Sequence, residues 1–173
     1  MKLHKPSKLN PHQLSAAVAA LTIVATVAIM TTGPAWAQSH DHGAAPQAKL
    51  SLDHGRKWAT DDALRAGMGR IRALVEPSLD AAHAGKLTPA QYAALAGKVQ
   101  TEVGGIVANC KLEPQADAML HLVIGEIGAG TDAMTGKAPG ARPSSGLVKV
   151  ATAVNDYGRH FEHSGFKLIA LSH

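Results

Sequence analysis

The sequence predicts an all-α protein: an up-down-up-down antiparallel four-helix bundle that follows a cleaved signal peptide and a disordered lead-in. Three observations carry that expectation. Aromatic residues make up only 3% of the chain while Ala, Leu, Val and Ile are plentiful, which favours packed aliphatic helices over a sandwich or barrel. From Trp58 onward the apolar residues recur at spacings of three and four, with no alternating stretch that reads as a strand. Pro, Gly and hydroxyl residues divide that pattern into four segments joined mostly by short turns.

Residues 1–37 have the three parts of an export signal. Lys2, Lys5 and Lys8 stand in a stretch without acids, residues 16–30 are an unbroken run of apolar and small side chains, and Ala35-Trp36-Ala37 places small residues at −3 and −1 after Gly33-Pro34. The competing reading is an uncleaved anchor, because the run with its flanks nearly reaches the length of a bilayer span. Cleavage after Ala37 leaves 136 of the 173 residues, enough for one domain, in the periplasm of a Gram-negative bacterium. It also removes three of the 17 basic residues, so 14 remain against 13 acids, a net charge of +1 rather than +4. A nucleic-acid or acidic-lipid partner thereby loses its main support, and no membrane contact is expected after cleavage. With Cys110 as the single cysteine, the core must hold without an internal disulfide. The lead-in, residues 38–57, opens with polar, Gly/Pro/Ala-containing sequence that lacks an apolar period and is expected to be disordered. The helical domain then occupies residues 58–173.

The first helix should cover residues 61–84. Thr60-Asp61-Asp62 supplies a cap and first-turn acids, Leu64, Met68, Ile71, Val75 and Leu79 form the apolar stripe, Pro77 should kink the helix and Gly85 end it. Thr88-Pro89-Ala90-Gln91 opens the second with a capping Thr, a first-position Pro and a Gln three residues after the cap. Its stripe is Tyr92, Leu95, Val99, Val103, Ile106 and Cys110. A third helix starts near Pro114, turns Leu120, Val123, Ile127 and Met134 inward, and ends in a loop over residues 136–146. The fourth starts at about Ser145, where Leu147, Val150, Val154, Tyr157 and Phe161 make a heptad-like seam. In the tail beyond it, Phe166, Leu168, Ile169 and Leu171 should fold back over an apolar edge. Glycines inside helices, among them Gly67, Gly97, Gly125 and Gly158, each cost up to about 1 kcal/mol relative to Ala. They imply either close helix packing or room for a flat cofactor.

In the predicted topology one end of the bundle collects Trp58, Met68, Cys110, Met119, His121, His160 and His163, while the other end has only His83 among imidazole or soft ligands. Imidazole, thiolate and thioether together suit copper or a haem iron. Cys110 and Met68 lie on apolar stripes, where they also read as core, and His121 and His160 lie one residue off the seam. His160 and His163, three apart, share a helix face as a chelating pair.

Met68 in the second turn of the first helix, Tyr157 with His160 near the end of the fourth, and the run from His121 through Ile127 resemble the soluble periplasmic b-type cytochromes of the four-helix-bundle class. That resemblance spans about residues 61–163. It implies a non-covalent haem b held between Met68 and His160, with His163 as a substitute, since the family's His directly follows a Tyr and here two residues intervene. No Cys-x-x-Cys-His is present, so covalent haem attachment is excluded. The whole chain also resembles small exported Gram-negative proteins labelled DnrO-like, which implies no function.

Three functions therefore compete: non-enzymatic metal binding with copper as the ligand, electron transfer through haem b, and a structural or partner-binding helical module with no cofactor. Catalysis has little support, because no nucleophile with a base, phosphate-binding Gly loop or paired-carboxylate motif occurs. A further metal site is expected at the new N-terminus. The free amine of Gln38, the amide nitrogens of Ser39 and His40 and the His40 imidazole can close three fused chelate rings around Cu(II) or Ni(II), with His42 adding a nearby imidazole. Cyclisation of Gln38 to pyroglutamate would remove the amine.

Overall fold

The computed structural model describes residues 49–171, all of which fall within one structural unit. The expected signal peptide and the N-terminal chelate of Gln38, Ser39, His40 and His42 lie outside the described residues. What is described is helical: α1 (Asp62–Val75), α2 (Leu79–His83), α3 (Pro89–Asn109), α4 (Pro114–Met134) and α5 (Pro143–His160). Strand-like pairing among the described residues is confined to two isolated bridges, Asp53 with Arg56 and Trp58 with Phe161. No described helix is long and apolar enough to cross a membrane.

Local chemistry accounts for the element boundaries. Asp61 caps α1 by accepting the Leu64 amide at 2.8 Å, and its second carboxylate oxygen accepts the Lys111 amide at 2.6 Å. One side chain thus starts α1 and ties it to the segment that follows α3. The single helix expected over residues 61–84 is interrupted at Pro77: α1 ends at Val75, residues Glu76–Ser78 form a 3₁₀ turn, α2 carries on for five residues, and Gly85 with φ +65° closes the run. The capping box at α3 is complete, with Gln91 N–H donating to Thr88 Oγ1 at 3.3 Å and Thr88 N–H to Gln91 Oε1 at 2.8 Å. The fourth long helix begins at Pro143, two residues before its expected start, because Pro at the first helical position needs no hydrogen-bond partner for its nitrogen.

Most residues of the predicted stripes are buried, but Leu95 and Cys110 on α3 are only partly so, and Ala96 takes the inward position beside Leu95. Leu64, Met68, Ile71, Val75, Val99, Ile106, Leu120, Ile127, Leu147, Val150, Val154, Tyr157 and Phe161 belong to one core cluster. Each long helix touches others through it: α1 packs against α3 and α5, α3 against α4, and α4 against α5, the last pair most extensively. Gly130 and Gly146 explain that closeness. A Cβ on Gly146 would stand 2.6 Å from the Gly130 carbonyl oxygen and 2.8 Å from the Met134 nitrogen, so the two backbones meet where neither residue has a side chain. The expectation that residue 146 belongs to a loop is corrected accordingly.

Two non-helical segments wrap the end of α5. The tail folds back as expected: Ile169 is buried, its N–H donates to Asn155 Oδ1 at 2.7 Å, and Asn155 Nδ2 donates to its carbonyl at 2.9 Å. The lead-in requires a correction. Residues 49–57 fell within the stretch expected to be disordered, yet they are held in place. Leu50 packs against the core, Trp58 Nε1–H donates to Ser51 O at 2.6 Å, and Lys57 Nζ donates to Gly158 O at 2.7 Å. Trp58 N–H then reaches His160 O, and Glu162 N–H reaches Trp58 O, both at 2.8 Å. The cause is long-range: the last carbonyls of α5 need donors, and this strap supplies them.

Candidate functional site

Reactive side chains gather around the start of α1, which Asp61 ties to Lys111 after α3 and Trp58 ties to the end of α5. The framework there is aromatic. Tyr157 stacks on Phe161 with ring centroids 5.3 Å apart and meets Phe166 edge-on at 5.2 Å, while His163 lies 4.8 Å from Phe166. The Tyr157 hydroxyl and His163 Nδ1 share a hydrogen bond of 2.9 Å. Burial pushes the Tyr157 hydroxyl to a high pKa, a shift that Arg65 opposes and Asp61 reinforces. Burial pulls the His163 imidazole below its ordinary value, and the positive charge of Arg65 pulls the same way.

His121 and His160 share a second feature. Nδ1 of His121 is 2.9 Å from the Asp117 carbonyl oxygen, and Nδ1 of His160 is 2.8 Å from the Asp156 carbonyl oxygen. A carbonyl can only accept, so in each ring Nδ1 carries the hydrogen and the neutral imidazole keeps its lone pair on Nε2. Asp117 also brings a carboxylate oxygen to 3.3 Å from His121 Nδ1.

The other expected ligands are placed differently. Met68 is fully enclosed in the core. The notch at neighbouring Gly67 is filled by the Ile106 side chain, and the one at Gly158, two residues before His160, by Phe166 and Leu168. The space these glycines open beside Met68 and His160 is therefore occupied by the chain's own side chains, which does not fit a haem plate. Cys110, at the C-cap of α3, is half-buried, and its thiol pKa is raised, first by burial and then by Asp61 and Asp117. It stays a thiol rather than a thiolate. Among the described residues no three His, Cys, Asp or Glu side chains come together as a metal-binding group. Cys110, His121, His160 and His163 thus form no such group of three among the described residues.

No family model, curated protein or solved structure matches the chain. The reading therefore rests on the residues themselves. Asp61, Arg65, Asp117 and Asn155 were absent from the sequence-derived site. Asp61 alone was legible, as a cap; the other three matter because of neighbours from elsewhere in the chain.

Proposed function

We propose that this chain is an exported, non-enzymatic helical protein that binds copper at its periplasmic destination, on a scaffold arranged as an up-down-up-down four-helix bundle. The succession of helix contacts, α1 with α3, α3 with α4, α4 with α5 and α5 with α1, supports that scaffold. The observation that carries the metal reading is the pair of imidazoles whose Nδ1–H is anchored on a backbone carbonyl. Metal-ligating histidines are commonly prepared in this way, because the anchored hydrogen fixes the tautomer and turns a basic Nε2 toward the ligand. In this reading His121 and His160 are separate imidazole donors rather than a joint chelate, and the mature N-terminus, Gln38-Ser39-His40, supplies a square-planar Cu(II) site. Cys110 remains a half-buried thiol. The haem b alternative receives no support from the enclosed Met68.

Equilibrium dialysis of the processed protein against Cu(II) tests the proposal. Bound copper should fall by about one equivalent in His40→Ala and fall again when His121→Ala and His160→Ala are added. Retention of less than a tenth of an equivalent by the parent protein would reject copper binding and leave the helical partner-binding module as the better reading.

A further inference from the structure

The geometry points to a second, chemically distinct site: an open groove between the 49–58 strap and the first turns of α4, built for a soft monovalent cation, Cu(I), by Met119, His54 and the Trp58 ring. The inference rests on the copper reading above and adds an oxidation state and a location to it. His54, Trp58 and Met119 line the same groove with Ser51, Asp53 and Gln115.

Ser51 holds its centre together. Its carbonyl accepts the Trp58 indole N–H at 2.6 Å while its hydroxyl points at Met119 Sδ, 3.8 Å away. The indole edge and the thioether are therefore fixed to one residue. His54 is presented by a two-residue turn in which Asp53 and Arg56 exchange backbone hydrogen bonds of 2.8 Å. Both central residues have positive φ, +48° at His54 and +84° at Gly55, as a type I′ turn requires. Asn, Asp or Gly would serve that turn more readily. The imidazole there lines the groove with its side chain 93% exposed and its Nε2 3.9 Å from Asp53 Oδ1, a weak surface pairing that a bound ion would replace.

Ligand chemistry then selects the ion. Thioether sulfur is a soft donor that favours Cu(I) over harder cations, and imidazole binds Cu(I) without losing a proton at neutral pH. The face of an indole attracts a cation placed within about 6 Å of its centre. Oxygens of Ser51, Asp53 and Gln115 also line the groove, but the Asp53 carboxylate is engaged by Arg56 at 3.2 Å, so the thioether, the imidazole and the aromatic face favour a soft ion over Mg²⁺ and Ca²⁺, which require several oxygen ligands. No redox step is involved, because the ion binds and leaves in one oxidation state.

Tryptophan fluorescence reads this groove directly. Of the two tryptophans in the sequence, Trp36 leaves with the signal peptide, so in the processed protein Trp58 is the single reporter, and Cys110→Ser removes the competing thiol. Silver(I) in chloride-free buffer serves as a redox-stable stand-in for Cu(I). Titration should quench Trp58 emission saturably at one equivalent, and Met119→Leu and His54→Ala should each weaken the apparent affinity at least tenfold. His54→Ala changes an exposed turn and leaves core packing untouched, while circular dichroism reports whether Met119→Leu stays folded. Affinity that survives either substitution in folded protein, or quenching that never saturates, overturns the site. Failure here is distinguishable from failure of the Cu(II) reading, since dialysis of Cu(II) depends on His40, His121 and His160 and leaves Met119 out.

Discussion

His163 occupies a position where a charge is unwelcome. Its ring is wedged against Phe166 and hydrogen-bonded to the buried Tyr157 hydroxyl, and Arg65 faces the same cluster with a positive charge while Asp61 stands nearby with a negative one. Both burial and Arg65 lower its native pKa below 6.5. The linkage sign follows. Above pH 6.5 the imidazole is neutral in native and unfolded chains alike and stability is at its full value. Below 6.5 the unfolded chain takes up the proton first, so stability declines until the pH reaches the lower native pKa. Urea unfolding between pH 7.5 and 5 should show that decline, and His163→Asn, which does not titrate, should flatten it. An unchanged slope in the variant would assign the effect to other groups.

At the level of elements, the tightest joint is that of α4 with α5. Gly130 and Gly146 let the backbones approach until carbonyl oxygens lie where side chains would stand. Gly146→Ala would gain about 1 kcal/mol of helix propensity, yet its methyl meets backbone at 2.6 and 2.8 Å, which cannot rotate away as a side chain can. Overpacking of this kind costs about 1–3 kcal/mol or more. We expect net destabilisation by Gly146→Ala in thermal unfolding. Gly97→Ala, on α3 with open space around it, should instead stabilise by a few tenths to about 1 kcal/mol. Equal effects at both sites would mean that the joint is looser than described.

Over the whole molecule, the helices are clamped by two irregular segments. The strap brings Trp58 to the end of α5, and the tail docks through Asn155, through Phe166 on Tyr157, and through the Lys167 carbonyl, which accepts from Arg72 Nε at 2.6 Å. Deleting residues 164–173 removes the side chains that fill the Gly158 notch and leaves the buried Asn155 amide unpaired, at about 1–3 kcal/mol for the lost hydrogen bonds alone. Such a truncation should lower the melting temperature by several degrees, as about 4–8 °C accompanies each kcal/mol in a small domain. An unchanged melting temperature would show the tail to be ornamental to stability.

The division between sequence and tertiary structure is visible in particular residues. Thr88 with Gln91, Pro77, Gly85 and the stripe from Leu147 to Phe161 were readable directly, because a cap, a break or an apolar period is settled within one or two turns of the chain. A convergence of imidazole, thiol and thioether could be read from the sequence only as a level along the helix axes. Which way each side chain turns depends on helix rotation, and one residue is about 100° of it. Met68 consequently faces inward and closed, whereas His121 is exposed and anchored to its own helix. The Gly130–Gly146 joint, the Asn155–Ile169 pair and the Ser51–Trp58–Met119 arrangement had no local signature at all. They exist because packed helices leave gaps and unpaired backbone groups at their ends, and residues as far as 102 positions apart are brought in to fill and pair them.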